Sequence, residues 1–307
     1  MMPLCQPAAN MVDFIDTTHL RTFELPLLQH APPSPPTRWP ACSTTACLNI
    51  ATIQPHATAQ AQQHMILHPT ERQQLATYRS NKRKSSYIIG RLCAKQALLQ
   101  CTKQTTQLNR ICITNGIFGQ PLLLHPPTPH AIGVSIAHTH RIAAAVAFAQ
   151  SHPMAIDIEP VDPNHAHTIW HRLTPHEQQL LQTAAQPNPI GCTLLWTAWE
   201  SLAKGLQAGL YTTHTPYEVQ QLELTNGIAQ IHFRHFHHVA VVSALVNSKY
   251  ALQNPLVTMN ISNMPQSNNR PNHNKLPCWL SILVAKQCLN PRLLAVLQEI
   301  AQQPQWP

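Results

Sequence analysis

With 307 residues, 44% of them apolar and only 10% charged, the chain can build one large or two small packed domains. Its 20 Lys and Arg against 12 Asp and Glu give a formal charge of +8, which directs attention to phosphates or acidic partners, and no apolar run reaches the roughly 18–20 residues of a membrane span. Nine cysteines, an odd number with no C-x-x-C spacing, exclude a disulfide framework, and no basic start followed by an apolar stretch marks a secretory leader, so a cytoplasmic location is expected.

In chain order, residues 1–60 show little periodicity and carry a Pro-rich break at Ala31-Pro-Pro-Ser-Pro-Pro36; they read as a peripheral arm with one strand near Cys47–Ile53. Thr70-Glu-Arg-Gln73 has the shape of a capping box and predicts a helix start, with a second helix over Ser86–Cys101. Arg110–Thr114 reads as a short strand ending at the Asn115-Gly116 turn. Ile132–Ile136, Ile142–Ala149 and Met154–Glu159 read as strands. Thr174-Pro-His-Glu177 supplies an N-cap, Pro at N1 and Glu at N3, and a long helix follows over Cys192–Gln207. Val219–Leu224 and Ile228–Phe233 flank a Thr225-Asn-Gly227 hairpin turn, and Val239–Val246 makes a last strand. Residues 260–277 read as a linker, and the apolar tail Cys278–Ala301 as helix, interrupted or restarted at Pro291. Helices followed by strands, twice over, predict an α+β fold.

Acidic residues are so scarce that their grouping is informative. A period of two places Asp157 and Glu159 on one face of their strand. Glu200 and Lys204, four apart, are neighbours on one face of the long helix. Two strand carboxylates and one helix carboxylate make a hard, oxygen-rich set suited to Mg²⁺ bound together with a phosphate, with Lys204 as a cation or proton carrier beside it. The same residues also describe a solvated strand end and a surface Glu–Lys pair. From Arg72 to Ile156 the chain carries ten Lys or Arg and no acid, a positive surface for phosphates or an acidic partner. The run His232-Phe-Arg-His-Phe-His-His238 would place His235 and His237 on one strand face. With 20 histidines in the chain and no Cys close by, this run reads as a half-exposed strand rather than a zinc site, and His165, His167 and His171 read likewise.

Several of these segments together carry a resemblance. Ile156-Asp-Ile-Glu159, followed about forty residues later by Trp196-Thr-Ala-Trp-Glu-Ser-Leu-Ala-Lys204, resembles the paired signature of the 4′-phosphopantetheinyl transferase superfamily. In the same order upstream, Tyr87-Ile-Ile-Gly-Arg-Leu-Cys-Ala-Lys-Gln-Ala97, Gly119-Gln-Pro121 and Val134-Ser-Ile-Ala-His138-Thr139 resemble its Gly-Arg-x-x-x-Lys, Gly-x-Pro and Ser-x-Ser-His segments. The match spans roughly residues 70–250. It implies a pseudo-twofold pair of similar α+β halves of the surfactin-synthetase-activating type, each a small mostly antiparallel sheet packed with helices, with the active site between them. The expected organisation is an arm over 1–60, an N-terminal half over 61–150, a C-terminal half with the metal site over 151–258, and a linker and helical tail over 259–307.

The implied reaction moves phosphopantetheine from coenzyme A to a serine of an acyl or peptidyl carrier protein and releases 3′,5′-ADP. In that reading Asp157, Glu159 and Glu200 hold Mg²⁺, and Glu200, Lys204 and Asp157 carry the catalysis. His138, Thr139, Gln120, Arg91 and Lys95 line the coenzyme A site, with Arg83 a weaker candidate, although Arg91 and Lys95 equally fit a solvated helix face. Three positions depart from the pattern: Trp199 stands where the family has Lys, Gln120 replaces the Lys of Gly-Lys-Pro, and Ala137 replaces a Ser. These departures keep open an impaired relative that binds coenzyme A or a carrier domain. A metal-dependent nucleic-acid phosphodiesterase would also use Asp-x-Glu, but it leaves the Gly119 and His138 segments unexplained. No nucleic acid or membrane partner is expected, and a chain holding both halves is expected to be a monomer.

Overall fold

The computed structural model describes residues 20–27, 45–53, 56–125, 132–184, 188–210, 215–246 and 277–303. Two antiparallel sheets form its centre. The first runs in the order β1 (Leu20–Pro26), β2 (Thr45–Thr52), β6 (Ile142–Ala149), β5 (Ile132–His138). Beside it, β3 (Cys112–Asn115) and β4 (Pro121–His125) form a hairpin. The second sheet runs β7 (Ala155–Pro160), β11 (Cys278–Ala285), β10 (Val239–Val246), β9 (Ile228–Phe233), β8 (Val219–Thr225). Antiparallel sheets with helices on their faces agree with the α+β expectation.

The period of two in β6 sets the layering. Ile142, Ala144, Val146 and Phe148 face the second sheet, where they meet Ile156, Ile158, Val242, Leu280 and Ile282 in one core. The alternate residues Ala143, Ala145 and Ala147 are small and admit α3 (Asn81–Thr102), whose Ile89, Leu92 and Cys93 pack on them together with α1 (His56–Ile66) and α2 (Pro69–Thr77). On the far side, α4 (Pro163–Trp170), α5 (Pro175–Thr183) and α6 (Asn188–Gly205) cover the second sheet. A Cβ on Gly205 would fall 2.1 Å from Leu283 Cδ2, so the end of α6 lies directly on β11.

Several expectations change. For residues 20–27 and 45–53 the peripheral arm becomes two paired strands, and β2 lies buried between β1 and β6. Cys278–Ala285 is not helix but the strand β11, hydrogen-bonded to both β7 and β10. A strand buried on both faces reads as a continuous apolar run, which carries no period by which to tell it from a helix. The helical part of the tail is α7 (Pro291–Gln302), which starts where Pro291 was expected to restart it, with Asn290 Oδ1 accepting from Leu293 N at 3.0 Å. Leu293, Leu297 and Ile300 of α7 join the core between the sheets. At α2 the cap is His68 rather than Thr70. The Thr174 cap of α5 matches its sequence signature. β9 ends at Phe233, so His235 and His237 lie beyond the strand rather than on one face of it. The Pro-rich break and residues 260–276 of the expected linker lie outside the described residues.

Candidate active site

Strand β7 sorts its side chains by chemistry. Ile156 and Ile158 enter the inter-sheet core, while Asp157 and Glu159 take the opposite face, on the side covered by α6. As an edge strand of the second sheet, β7 meets the first sheet through β5, where Ile156 N donates to Ser135 Oγ at 3.1 Å. From α6, Lys204 reaches across: its Nζ donates to Asp157 Oδ1 at 2.5 Å and to Ile156 O at 3.3 Å. The pair is asymmetric, with the Asp157 side chain 6% exposed and that of Lys204 32%. An ammonium with one side open and a fixed carboxylate behind it is a directed cation.

The carboxylates feel one another. Burial, then the charges of Asp157 and Glu200, push Glu159 up to about 8 against the opposing pull of Lys204. Glu200 is also raised, by burial and then by Asp157, with Lys204 again opposing. Asp157 Oδ2 is buried without a hydrogen-bond partner, a lone pair costly to leave unmet. Crowded hard oxygens, one of them orphaned, fit a hard divalent cation. They do not converge, however: among the described residues no three His, Cys, Asp or Glu side chains stand close enough together to hold a metal ion. The expected triad is therefore a neighbourhood of carboxylates that raise one another's pKa values without forming a closed ligand set, with Lys204 on one oxygen of Asp157.

A pH prediction follows for the cation-free protein. Because the folded-state pKa of Glu159 lies above its ordinary value of 4.5, the folded protein holds a proton that the unfolded chain has released. Stability should therefore fall as pH rises from about 5 to 8, and the Glu159→Gln variant should flatten that slope in thermal melts. An unchanged slope would mean that Glu159 is not the titrating group.

Next to this cluster lies a cleft of about 150 Å³ between α3, the β3–β4 hairpin and the end of β5, lined by Tyr78, Arg83, Ser86, Tyr87, Arg91 and His138 among others. Arg83 Nη1 lies 2.9 Å from His138 Nε2, an arrangement in which the guanidinium donates to a neutral ring. Partial desolvation, and then Arg83 with Lys204 beyond it, hold the His138 pKa below its ordinary value. The cleft and the carboxylate cluster are neighbours through β5, which carries His138 at its end and accepts at Ser135 Oγ from Ile156 N of β7. Arg91 stands over the Tyr87 ring at 4.6 Å and donates to Asn115 Oδ1 at 3.2 Å.

Other expected coenzyme A residues are engaged elsewhere. Lys95 is fully buried, with Nζ on Glu71 Oε2 at 2.5 Å and on Ile66 O at 2.7 Å. Glu71 also accepts from Ile113 N and faces Arg91 Nε at 3.4 Å, so Lys95 and Glu71 brace α2, α3 and β3 beneath the cleft. Thr139 Oγ1 accepts from Arg141 N and Ile142 N, closing the β5–β6 turn. Gln120 folds back so that its Oε1 accepts from Phe118 N within the hairpin tip. Trp199 is fully buried in the core under the second sheet, with Trp196 edge-on at 6.4 Å. Its indole fills interior space, so position 199 is not a vacated phosphate contact. Glu71 was not singled out from the sequence, although His68-Pro69-Thr70-Glu71 carries the same Pro-at-N1, Glu-at-N3 pattern as Thr174–Glu177.

Residues 153–253 match the model of the 4′-phosphopantetheinyl transferase superfamily. A holo-[acyl-carrier-protein] synthase of Petrotoga mobilis is 30% identical over 91 residues, spanning 27% of this chain and 76% of that protein. Two solved holo-acyl-carrier-protein synthases overlay in part. One, from Bacillus anthracis in complex with CoA (3′,5′-ADP), is 21% identical and covers 33% of this chain and 91% of its own at a TM-score of 0.31. The other, from Plasmodium yoelii, is 22% identical and covers 33% and 88% at 0.29. The matched segment contains β7 and α6, which carry the acidic and lysine residues described above, and the chain belongs to the 4′-phosphopantetheinyl transferase superfamily.

Proposed function

We propose that this chain transfers the phosphopantetheine arm of coenzyme A to a serine of an acyl or peptidyl carrier protein, releasing 3′,5′-ADP. The observation that carries the reading is the Asp157–Lys204 pair, with its unmet Oδ2, on a strand bonded to β5, whose end carries His138 beside Arg83. Phosphoryl transfer is governed by positioning and charge stabilisation, which is what such a cluster supplies. Asp157 through its unmet Oδ2, with Glu159 and Glu200 drawn toward it from their separate positions, would hold Mg²⁺, which would supply charge neutralisation for the pyrophosphate. Arg83 and His138 bind the nucleotide phosphates from the cleft side. Lys204 presents its ammonium to a phosphate oxygen, held in direction by Asp157. Glu200 takes the proton as the serine oxygen forms its bond to phosphorus and the pyrophosphate oxygen of 3′,5′-ADP departs.

The two-halved arrangement is supported by recurring detail. Glu71 and Glu177 each close a capping box at N3 of a short Pro-initiated helix, and each accepts a backbone N–H from a residue 42 positions on, Ile113 and Val219. In each half a long helix, α3 or α6, follows. Then β3, β4, β5, β6 in the first half answer β8, β9, β10, β11 in the second, and β6 and β11 are both eight residues long. In this reading β2 answers β7, and Asn49, opposite Ala145, takes the place that Asp157 takes opposite Ser281. Asn49 is fully buried, hydrogen-bonded to Gln100 and Thr22, so the acidic chemistry belongs to one half alone. A chain that contains both halves acts as a monomer.

The basic, acid-free stretch divides by geometry. Arg83 faces His138 in the cleft, whereas Lys82 is exposed at the start of α3. Arg83→Gln is expected to raise KM for coenzyme A several-fold. Lys82→Gln with Lys84→Gln should instead raise KM for the carrier, an effect that salt mimics because exposed charges are screened. Steady-state kinetics with each substrate varied in turn checks the split, and the opposite pattern would move the docking face elsewhere. The transfer itself is tested by chromatography of the nucleotide: 3′,5′-ADP should form from coenzyme A only when Mg²⁺ and an apo carrier are both present. Tight coenzyme A binding without release would select the impaired relative.

A further inference from the structure

His165, His167 and His171, read from the sequence as part of a half-exposed strand rather than a zinc site, lie instead on α4 and its C-cap, and two of them converge. His167 and His171, four apart, bring Nε2 to within 3.1 Å of Nε2, with ring centroids 4.4 Å apart and planes at 71°. The same turn is closed in the backbone, where His171 N donates to His167 O at 3.3 Å. Both rings are exposed, so neither convergence nor orientation is forced by core packing. Two imidazole nitrogens each about 2.0–2.1 Å from a shared ion stand roughly 3 Å apart when they subtend a near-tetrahedral or square angle. The observed separation is that bite.

We propose that His167 and His171 form a two-imidazole binding site for a late first-row divalent cation such as Zn²⁺ or Cu²⁺. Imidazole is a borderline ligand that suits these ions and not Mg²⁺ or Ca²⁺, so the site is chemically separate from the carboxylate cluster on β7. No third His, Cys, Asp or Glu joins the pair among the described residues, so water or an outside donor completes the coordination shell. The neighbouring charges are few: His165 pairs loosely with Asp162 at 4.0 Å, and the Arg172 guanidinium lies over Trp196 at 5.9 Å. A bound ion would clasp the last turn of α4, whose Ala166 and Ile169 pack in the core shared with α6.

The test uses tag-free, full-length protein titrated with Cu²⁺ and followed by electron paramagnetic resonance, with Zn²⁺ added in a parallel thermal melt. The wild type should show one tight Cu²⁺ with a spectrum of nitrogen ligation, should gain thermal stability with Zn²⁺, and should keep the ion in excess Mg²⁺. His167→Gln or His171→Gln should each weaken the tight phase by roughly tenfold or more, because each removes a ligand. His165→Gln should change nothing. If the tight phase and the Zn²⁺ stabilisation persist in the His167→Gln/His171→Gln double variant, the pair is a simple N–H···N hydrogen bond and the proposal fails. A change confined to His165→Gln would also overturn it. The exposed positions of both residues keep every variant foldable.

Discussion

Replacing Asp157 by Asn is expected to lower transfer by at least about 10²–10³-fold while leaving the thermal midpoint near that of the wild type. The side chain has two jobs in this account: Oδ1 fixes the Lys204 ammonium, and the buried Oδ2 is the lone pair left for a cation. Asn keeps the volume, but its Oδ1 can hold the ammonium only as a neutral acceptor, and its Nδ2 puts N–H donors where the lone pair for the cation stood. The fold is spared because Lys204 is partly exposed and returns to water when its partner is gone. Turnover of a carrier domain at saturating Mg²⁺, read beside a thermal melt, checks both halves of the statement. A variant with near-normal turnover would remove Asp157 from the reaction, and a collapsed melt would make the residue a structural one.

Restoring the family lysine at position 199 should harm rather than help. Trp199 is completely buried against the second sheet, in the same cluster as Leu195, Leu202 and Trp279. Trp199→Lys removes a large apolar volume, a change of the kind that costs about 3–5 kcal/mol on truncation, and it inserts an ammonium where burial of an unpaired charge is costly. The denaturation midpoint in urea should fall sharply, and any activity should fall with the folded fraction. A stable variant with faster turnover would show that position 199 reaches the site, and that the missing lysine is a functional loss.

These two residues also show what the sequence could and could not reveal. Asp157 and Glu159 were legible because a period of two in a strand is unambiguous, and because acids are rare enough in this chain for a pair to stand out. Lys204 was found at the same level through its spacing from Glu200. Lys95 has the same helical context, and nothing in its spacing tells that it turns inward to Glu71 while Lys204 turns to Asp157; that choice is made by tertiary packing. β6 is all apolar and β11 is apolar but for Ser281, so neither shows a polar alternation; β6 was bounded by the His138 turn before it, whereas Cys278–Ala285 was joined to the apolar residues after Pro291 and read as helix. β1 was passed over because its partner, β2, was itself taken for periphery. α4 was missed although Asp162 and Pro163 carry an N-cap and N1 signal, since only eight residues follow it.

The central claim is transfer of phosphopantetheine by this chain, and the intact mass of an apo acyl or peptidyl carrier domain tests it most directly. After incubation with the full-length protein, coenzyme A and Mg²⁺, the carrier should gain the mass of one phosphopantetheine on its acceptor serine. The gain should be absent when that serine is Ala, when Mg²⁺ is chelated, or when the Asp157→Asn protein is used. A panel of apo carriers whose masses stay unchanged with the wild-type protein, under conditions where it is folded and binds coenzyme A, would contradict the account.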